Sequence, residues 1–165
     1  RDALGALKGS LIAICDDMHR LSRQIHPAIL DDFGLADAMH SECDRLGERN
    51  AVSVEFRCGI LPADLPREIA ICLYRIAQEA FWNAAKYSRT DRVIVELSSD
   101  PEFIHLNIRD FGIGFDPQHV SEKQGLGLSS MKERARLVRG TISIDSTPGA
   151  GVTIAVRVPL PEDSA

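Results

Sequence analysis

Arg109-Asp110-Phe111-Gly112-Ile113-Gly114-Phe115-Asp116 is the stretch whose reading decides the fold. An alternating apolar strand stops there at an acid, and two glycines open a loop. Ile104, Leu106 and Ile108 share one strand face at period two, so Asp110 continues their row and points to the buried side. A carboxylate aimed inward needs donors, supplied either by nearby backbone and side chains or by a ligand. An ordinary strand-ending Asp-x-Gly turn fits the same residues, so the neighbouring segments have to decide.

Upstream, Val93, Val95 and Leu97 keep phase in a strand from Arg92 to Ser98, and Asp100-Pro101-Glu102 turns it into the strand Phe103 to Asp110. Before that pair, Ile69, Cys72, Leu73, Ile76 and Ala80 follow helical spacing between Arg67 and about Tyr87, with Pro66 placed to start the helix. Its second half carries Glu79, Asn83 and Lys86 at i, i+4 and i+7, within roughly a 60° arc bordering the apolar stripe. Glu offers a carboxylate, Asn a neutral oxygen for a hard cation, and Lys a positive charge for phosphate. A solvated face with a Glu-to-Lys pair, worth ~0.2–0.5 kcal/mol, would look the same.

Downstream, Asp116 to Gln124 is polar, lacks periodicity and reads as a mobile segment. Gly125-Leu126-Gly127-Leu128 then opens a helix running to about Arg139. Glycines at a helix start let phosphate approach exposed N–H groups, although glycines also simply end loops. Strands at Thr141 to Ser146 and Val152 to Val158 meet at the hairpin Pro148-Gly149-Ala150-Gly151.

At the N-terminus, Leu4, Leu7, Leu11, Ile14, Met18, Leu21 and Ile25 form a heptad seam that His26-Pro27 ends. Such a stripe calls for a helical partner or a second chain, the alternative being a helix lying on the domain's own core. Asp31-Asp32-Phe33-Gly34 reads as a linker to a helix from about Leu35 to Glu48, followed by a strand at Val52 to Phe56. The chain begins at Arg1, which suggests a piece of a longer protein.

Composition sets outer bounds. The 165 residues, 44% hydrophobic and 26% charged, are those of a globular protein with one core-bearing domain. A formal net charge of -5 gives no basic field for nucleic acid or anionic lipid, and no apolar run approaches ~18 residues. Cys15, Cys43, Cys58 and Cys72 lack C-x-x-C spacing and sit among apolar residues. Reduced, buried thiols in a cytoplasmic setting are expected, with metal or disulfide use as the alternative. A cytoplasmic setting of this kind is equally compatible with a membrane-anchored parent protein.

The order of these signals carries a resemblance. Glu-x-x-x-Asn-x-x-Lys on a helix, Asp-x-Gly-x-Gly after a strand, Gly-x-Gly-Leu at a helix start and a closing hairpin resemble the ATP-binding domain shared by histidine kinases, gyrase-type ATPases, heat-shock chaperones and MutL. The likeness covers about Leu35 to Pro161. Gln24-Ile25-His26-Pro27-Ala28-Ile29-Leu30-Asp31-Asp32-Phe33-Gly34-Leu35, Gln78-Glu79-Ala80-Phe81-Trp82-Asn83-Ala84-Ala85-Lys86 and Gly125-Leu126-Gly127-Leu128-Ser129-Ser130-Met131-Lys132-Glu133-Arg134 resemble sensor histidine kinases of the nitrate-sensor type.

The resemblance implies an α+β two-layer sandwich, a mixed β-sheet covered on one face by helices, with the heptad helix at the N-terminus. It divides the chain into residues 1–30, the second helix of a dimerisation and phosphoacceptor hairpin, and residues 31–165, the ATP-binding catalytic domain. By the same resemblance Asp110 accepts a hydrogen bond from the adenine amine, and Gly112 and Gly114 keep backbone close to the base. Asn83 would hold Mg²⁺, Lys86 would contact phosphate, and Gly125, Gly127 and Leu128 would supply phosphate contacts from the lid helix. Glu79 is the acid that positions or deprotonates the attacking group. Phosphoryl transfer needs mainly positioning and charge neutralisation, which this set supplies on the ATP side.

The acceptor is missing. His19 precedes Arg20 and His26 precedes Pro27, and neither matches the family's phosphorylated histidine followed by an acid. ATP binding without self-phosphorylation is therefore expected, with a response regulator and the dimerisation helices of a homodimer as partners in the full protein. A nucleotide-gated regulatory module and an anti-sigma-type serine kinase are the alternatives. Three residues depart from the family's usual pattern: Tyr87 where histidine is usual, Phe111 where an acid or amide is common, and Val152 where a threonine often backs the adenine.

Overall fold

The computed structural model describes residues 28–116 and 122–161. The heptad seam and His19 and His26 lie outside the described residues, as does most of the segment between Asp116 and Gln124. Within them, three helices lie on one face of a five-stranded sheet, the α+β arrangement expected.

Helix α1 (Ala28–Asn50) follows the spacing of Leu35, Ala38, Met39, Cys43 and Leu46, all buried. It consists of two helical pieces joined at Gly34, whose φ of 78° no side-chain-bearing residue adopts cheaply. Asp31, Asp32 and Phe33, expected to form a linker with Gly34, are thus helical. Asp31 there pairs with Arg67 at 2.9 Å, tying the start of α1 to the start of the next helix. β1 (Ser53–Cys58) runs parallel to β2 (Arg92–Ser99).

Helix α2 (Arg67–Asn83) crosses the middle of the layer. The expected stripe of Ile69, Cys72, Leu73, Ile76 and Ala80 is buried, and so are Tyr74, Arg75 and Ala77, because α1 flanks the helix on one side and α3 (Glu122–Leu137) on the other. Pro66 precedes the first turn and its carbonyl accepts the Ile69 and Ala70 N–H groups. Beyond Asn83 the expected helix changes character. Ala84–Ser88 form a π-helical turn, closed by Arg89 in the left-handed region at φ 52°.

β3 (Phe103–Asp110) pairs antiparallel with β2 and with β5 (Val152–Pro159), and β4 (Thr141–Ser146) closes the far edge, giving the order β1-β2-β3-β5-β4. Val93, Val95, Leu97, Ile104, Leu106, Ile108, Ile154, Val156 and Val158 all face the helices, as their alternation requires. Asp100 Oδ1 accepts the Glu102 and Phe103 N–H groups and fixes the β2–β3 turn.

Two further expectations need correction. Cys43 and Cys72 are buried thiols, pushed up to about 12 and about 11 chiefly by burial, but Cys58 is exposed. Cys58 continues the inward row of Val54 and Phe56 at the uncovered end of an edge strand. Helix α3 begins at Glu122 rather than at Gly125. Glu, Lys and Gln propagate a helix more readily than glycine starts one, so the helix extends back through 122–124.

Candidate nucleotide site

Asp110 closes β3 between Val93 of β2 and Val152 of β5. It is only 7% exposed and continues the row of Ile104, Leu106 and Ile108, as its parity requires. Its Oδ1 accepts the Gly112 N–H at 2.9 Å. Burial raises its pKa, with the Gly112 and Val152 backbone N–H groups working in the opposite direction.

The loop beyond Asp110 is held by backbone. A Cβ on Gly112 would overlap the Ser88 carbonyl oxygen, which also accepts the Ile113 N–H at 2.7 Å. Gly114 sits at φ 59° with its missing Cβ directed at the Thr147 carbonyl, and Gly151 closes against Asp110 in the same manner. The Phe115 N–H donates to Ser146 Oγ at 2.8 Å, and the Phe111 N–H to Thr90 Oγ1 at 3.2 Å. These glycines are needed because strands, loop and π-turn meet backbone to backbone. The tight contact of Gly112 is with Ser88.

A cavity opens beside this loop. Ala80, Leu128, Val152 and Ile154 give it apolar walls, and Asp110, Asn83 and Tyr87 give it polar ones, with Ser88, Gly114 and Phe115 completing the rim. Of the expected site residues, Asp110, Asn83, Gly114 and Leu128 therefore line one space. Glu79 and Gly127 meet just outside it: a Cβ on Gly127 would overlap Glu79 Oε1 and lie 3.7 Å from Asn83 Nδ2.

Lys86, Gly112 and Gly125 do not line the cavity. Lys86 falls inside the π-helical turn, and its Nζ stands 5.1 Å from the Trp82 ring centre and 5.5 Å from that of Tyr87. Gly125 has nothing near its missing side chain, and Gly127 and Leu128 stand beyond the first four N–H groups of α3, so their amides lie within the helical ladder.

Ser88 and Phe115 were not expected at the site. Ser88 arrives there through the π-turn, where its Oγ donates to the Ala84 carbonyl at 2.8 Å, and no sequence signal marks that turn. Phe115 could have been found as the one large side chain that turns inward in a glycine-rich loop. Phe111 points the other way, 39% exposed between the Arg109 and Arg92 guanidiniums at 4.6 and 5.3 Å from its ring centre.

Among the described residues no group of three His, Cys, Asp or Glu side chains could hold a metal ion. A cation at Asn83 would take most of its ligands from phosphate and water, which suits Mg²⁺. The buried acid and apolar walls likewise suit a flat heterocycle with an exocyclic amine.

Comparison with known proteins bears on this arrangement. The oxygen sensor histidine kinase NreB of Staphylococcus carnosus (strain TM300) is 34% identical over 154 residues, covering 93% of the chain. The chain spans 44% of that relative's length. The histidine kinase domain of the Erythrobacter litoralis EL346 blue-light activated histidine kinase superposes with a TM-score of 0.62 at 20% identity, over 76% of this chain and 61% of that one. A mycobacterial sensor histidine kinase, MprB, gives 0.57 at 23% identity, over 74% of this chain and 92% of the other. At those identities the two structures establish the fold. Residues 68–162, from the first turn of α2 past the end of β5, match the family described as histidine kinase-, DNA gyrase B-, and HSP90-like ATPase. With that match spanning more than half its length, the chain belongs to this ATPase family.

Proposed function

We propose that the chain is the ATP-binding catalytic domain of a two-component sensor histidine kinase, delivering the γ-phosphoryl group to a histidine on a helix outside this chain. A response regulator is the onward acceptor. The observation that carries the reading is the buried Asp110 carboxylate at a strand end, lining the same cavity as Asn83 in a member of this family. The kinship with NreB favours phosphotransfer to histidine over the other chemistries of the family.

Asp110 accepts the adenine amine through its charged carboxylate, while Ala80, Val152 and Ile154 flank the base. Asn83 provides one oxygen to Mg²⁺, which supplies charge neutralisation on the phosphates when bound. Lys86 contacts phosphate by swinging from its seat over Trp82 and Tyr87, and Gly125, Gly127 and Leu128 border the phosphate side. Glu79 orients the acceptor imidazole and takes the proton of the ring nitrogen that does not attack. The attacking nitrogen forms the P–N bond as the β,γ-bridging P–O bond breaks and its electron pair leaves with ADP.

Radiolabelled ATP with a supplied dimerisation hairpin tests the reading. The expected result is label on the hairpin histidine and none on this chain. Label on His19 or His26 would overturn the acceptor assignment, and no label on any hairpin, with ATP bound, would overturn the kinase reading. No helix among the described residues is long and apolar enough to cross a membrane.

A further inference from the structure

We propose that Gly127 is a positioning residue for Glu79: its missing side chain is the seat that holds the Glu79 carboxylate beside the Asn83 amide. The proposal rests on the reading of Glu79 as the acid serving the acceptor imidazole. Glu79 and Asn83 stand one turn apart on α2, and the space a Gly127 Cβ would fill is bounded by Glu79 Oε1, by Glu79 Cδ at 3.3 Å and by Asn83 Nδ2 at 3.7 Å. A small residue at a helix crossing ordinarily lets backbones or apolar side chains approach. Here it admits a carboxylate and an amide.

The rest of α3 dictates what gives way if the seat is filled. Gly127, Met131 and Ala135 form one row at i, i+4 and i+8, and Met131 and Ala135 are fully buried. Close packing two turns long anchors the helix, so it cannot back away by a methyl group without opening the core. Cys72 Sγ, bonded to the Arg134 carbonyl at 3.2 Å, adds a further tie between α2 and α3. The mobile party is the Glu79 carboxylate at the end of its flexible stem. A methyl group at position 127 therefore moves the acid and leaves the fold in place.

The test is a double-mutant cycle in the full-length kinase, with G127A, E79A and the pair. In G127A we expect single-turnover phosphotransfer, measured at saturating ATP so that any change in affinity is taken out, to fall about tenfold or more, as a displaced reacting group requires. In the E79A background the same substitution should change neither the residual rate nor the melting temperature downward, because the group it displaces is gone. G127A transferring at the parental rate while E79A is inactive overturns the seat alone. A melting loss equal in both backgrounds also overturns it, since the methyl group would then be meeting something other than Glu79, and this holds even if G127A folds poorly. E79A transferring at the parental rate overturns the reading of Glu79 itself.

Discussion

The two glycine pairs that flank the cavity are spelled alike and differ in physical role. Gly112 and Gly114 are pressed against the carbonyls of Ser88 and Thr147, so their missing side chains are occupied by backbone that cannot move. Gly125 faces open space, and Gly127 faces the ends of the Glu79 and Asn83 side chains, of which Glu79 is the nearer. The first pair closes the fold around Asp110. The second leaves the start of α3 free of bulk beside Glu79 and Asn83. A Gly-x-Gly pattern therefore says that bulk is excluded, and only the surroundings say whether by the protein or for the chemistry.

Substitution separates the two roles most sharply at Gly112. Gly112→Ala should cost about 3 kcal/mol, at the upper end for overpacking because backbone is hit, and lower the melting temperature by roughly 6–12 °C. A loss below 1 kcal/mol in a calorimetric scan would erase the contrast. The chemistry of the first loop belongs instead to its acid. Asp110→Asn should weaken ATP binding by roughly ten- to a hundredfold, the range for a hydrogen bond to a charged group, with the fold intact by circular dichroism. Unchanged affinity would remove the adenine assignment.

The same substitution sharpens the comparison through pH. Burial raises the folded-state pKa of Asp110 above its ordinary 3.8, so between the two values the folded state holds more protons than the unfolded one. This group's contribution to stability therefore falls as pH rises through that window and stays low above it. The stability of Asp110→Asn relative to the parent should grow across the window and then level off; denaturant titrations giving a constant difference would contradict the burial argument. The smallest effect is expected at Gly125. Gly125→Ala should stabilise by about 0.5–1 kcal/mol, because nothing obstructs a methyl group there and alanine favours the helix. Destabilisation in the absence of nucleotide would place Gly125 with the first pair.

The inner face of the sheet was legible because period two is strict: Ile104 through Asp110, Val93 through Leu97 and Val152 through Val158 left no freedom about which side faces the helices. Helix α2 was legible as far as Asn83 for the same reason of phase. What failed lies where one local rule yields to another. Lys86 was placed by extending α-helical geometry across Ala84–Ser88, a turn whose widening has no residue signature. The start of α3 was read from its glycines, although the residues before them are the better helix formers. The tight contact of Gly112 with Ser88 carried no signal either, because only the folded chain brings that partner near.

Asp110 and Phe111 are adjacent and face opposite ways, one into the cavity and the other between two guanidiniums on the open side of the sheet. Parity makes that division a constraint on how this part of the gene can change. Loss or gain of a single codon within β3 would exchange the two, driving an aromatic ring into the cavity and setting the carboxylate between Arg92 and Arg109. Variation along β3 is thereby confined to substitution or to paired insertions. Descendants of this sequence can lengthen their turns freely, but the strand that ends in Asp110 has to keep its count.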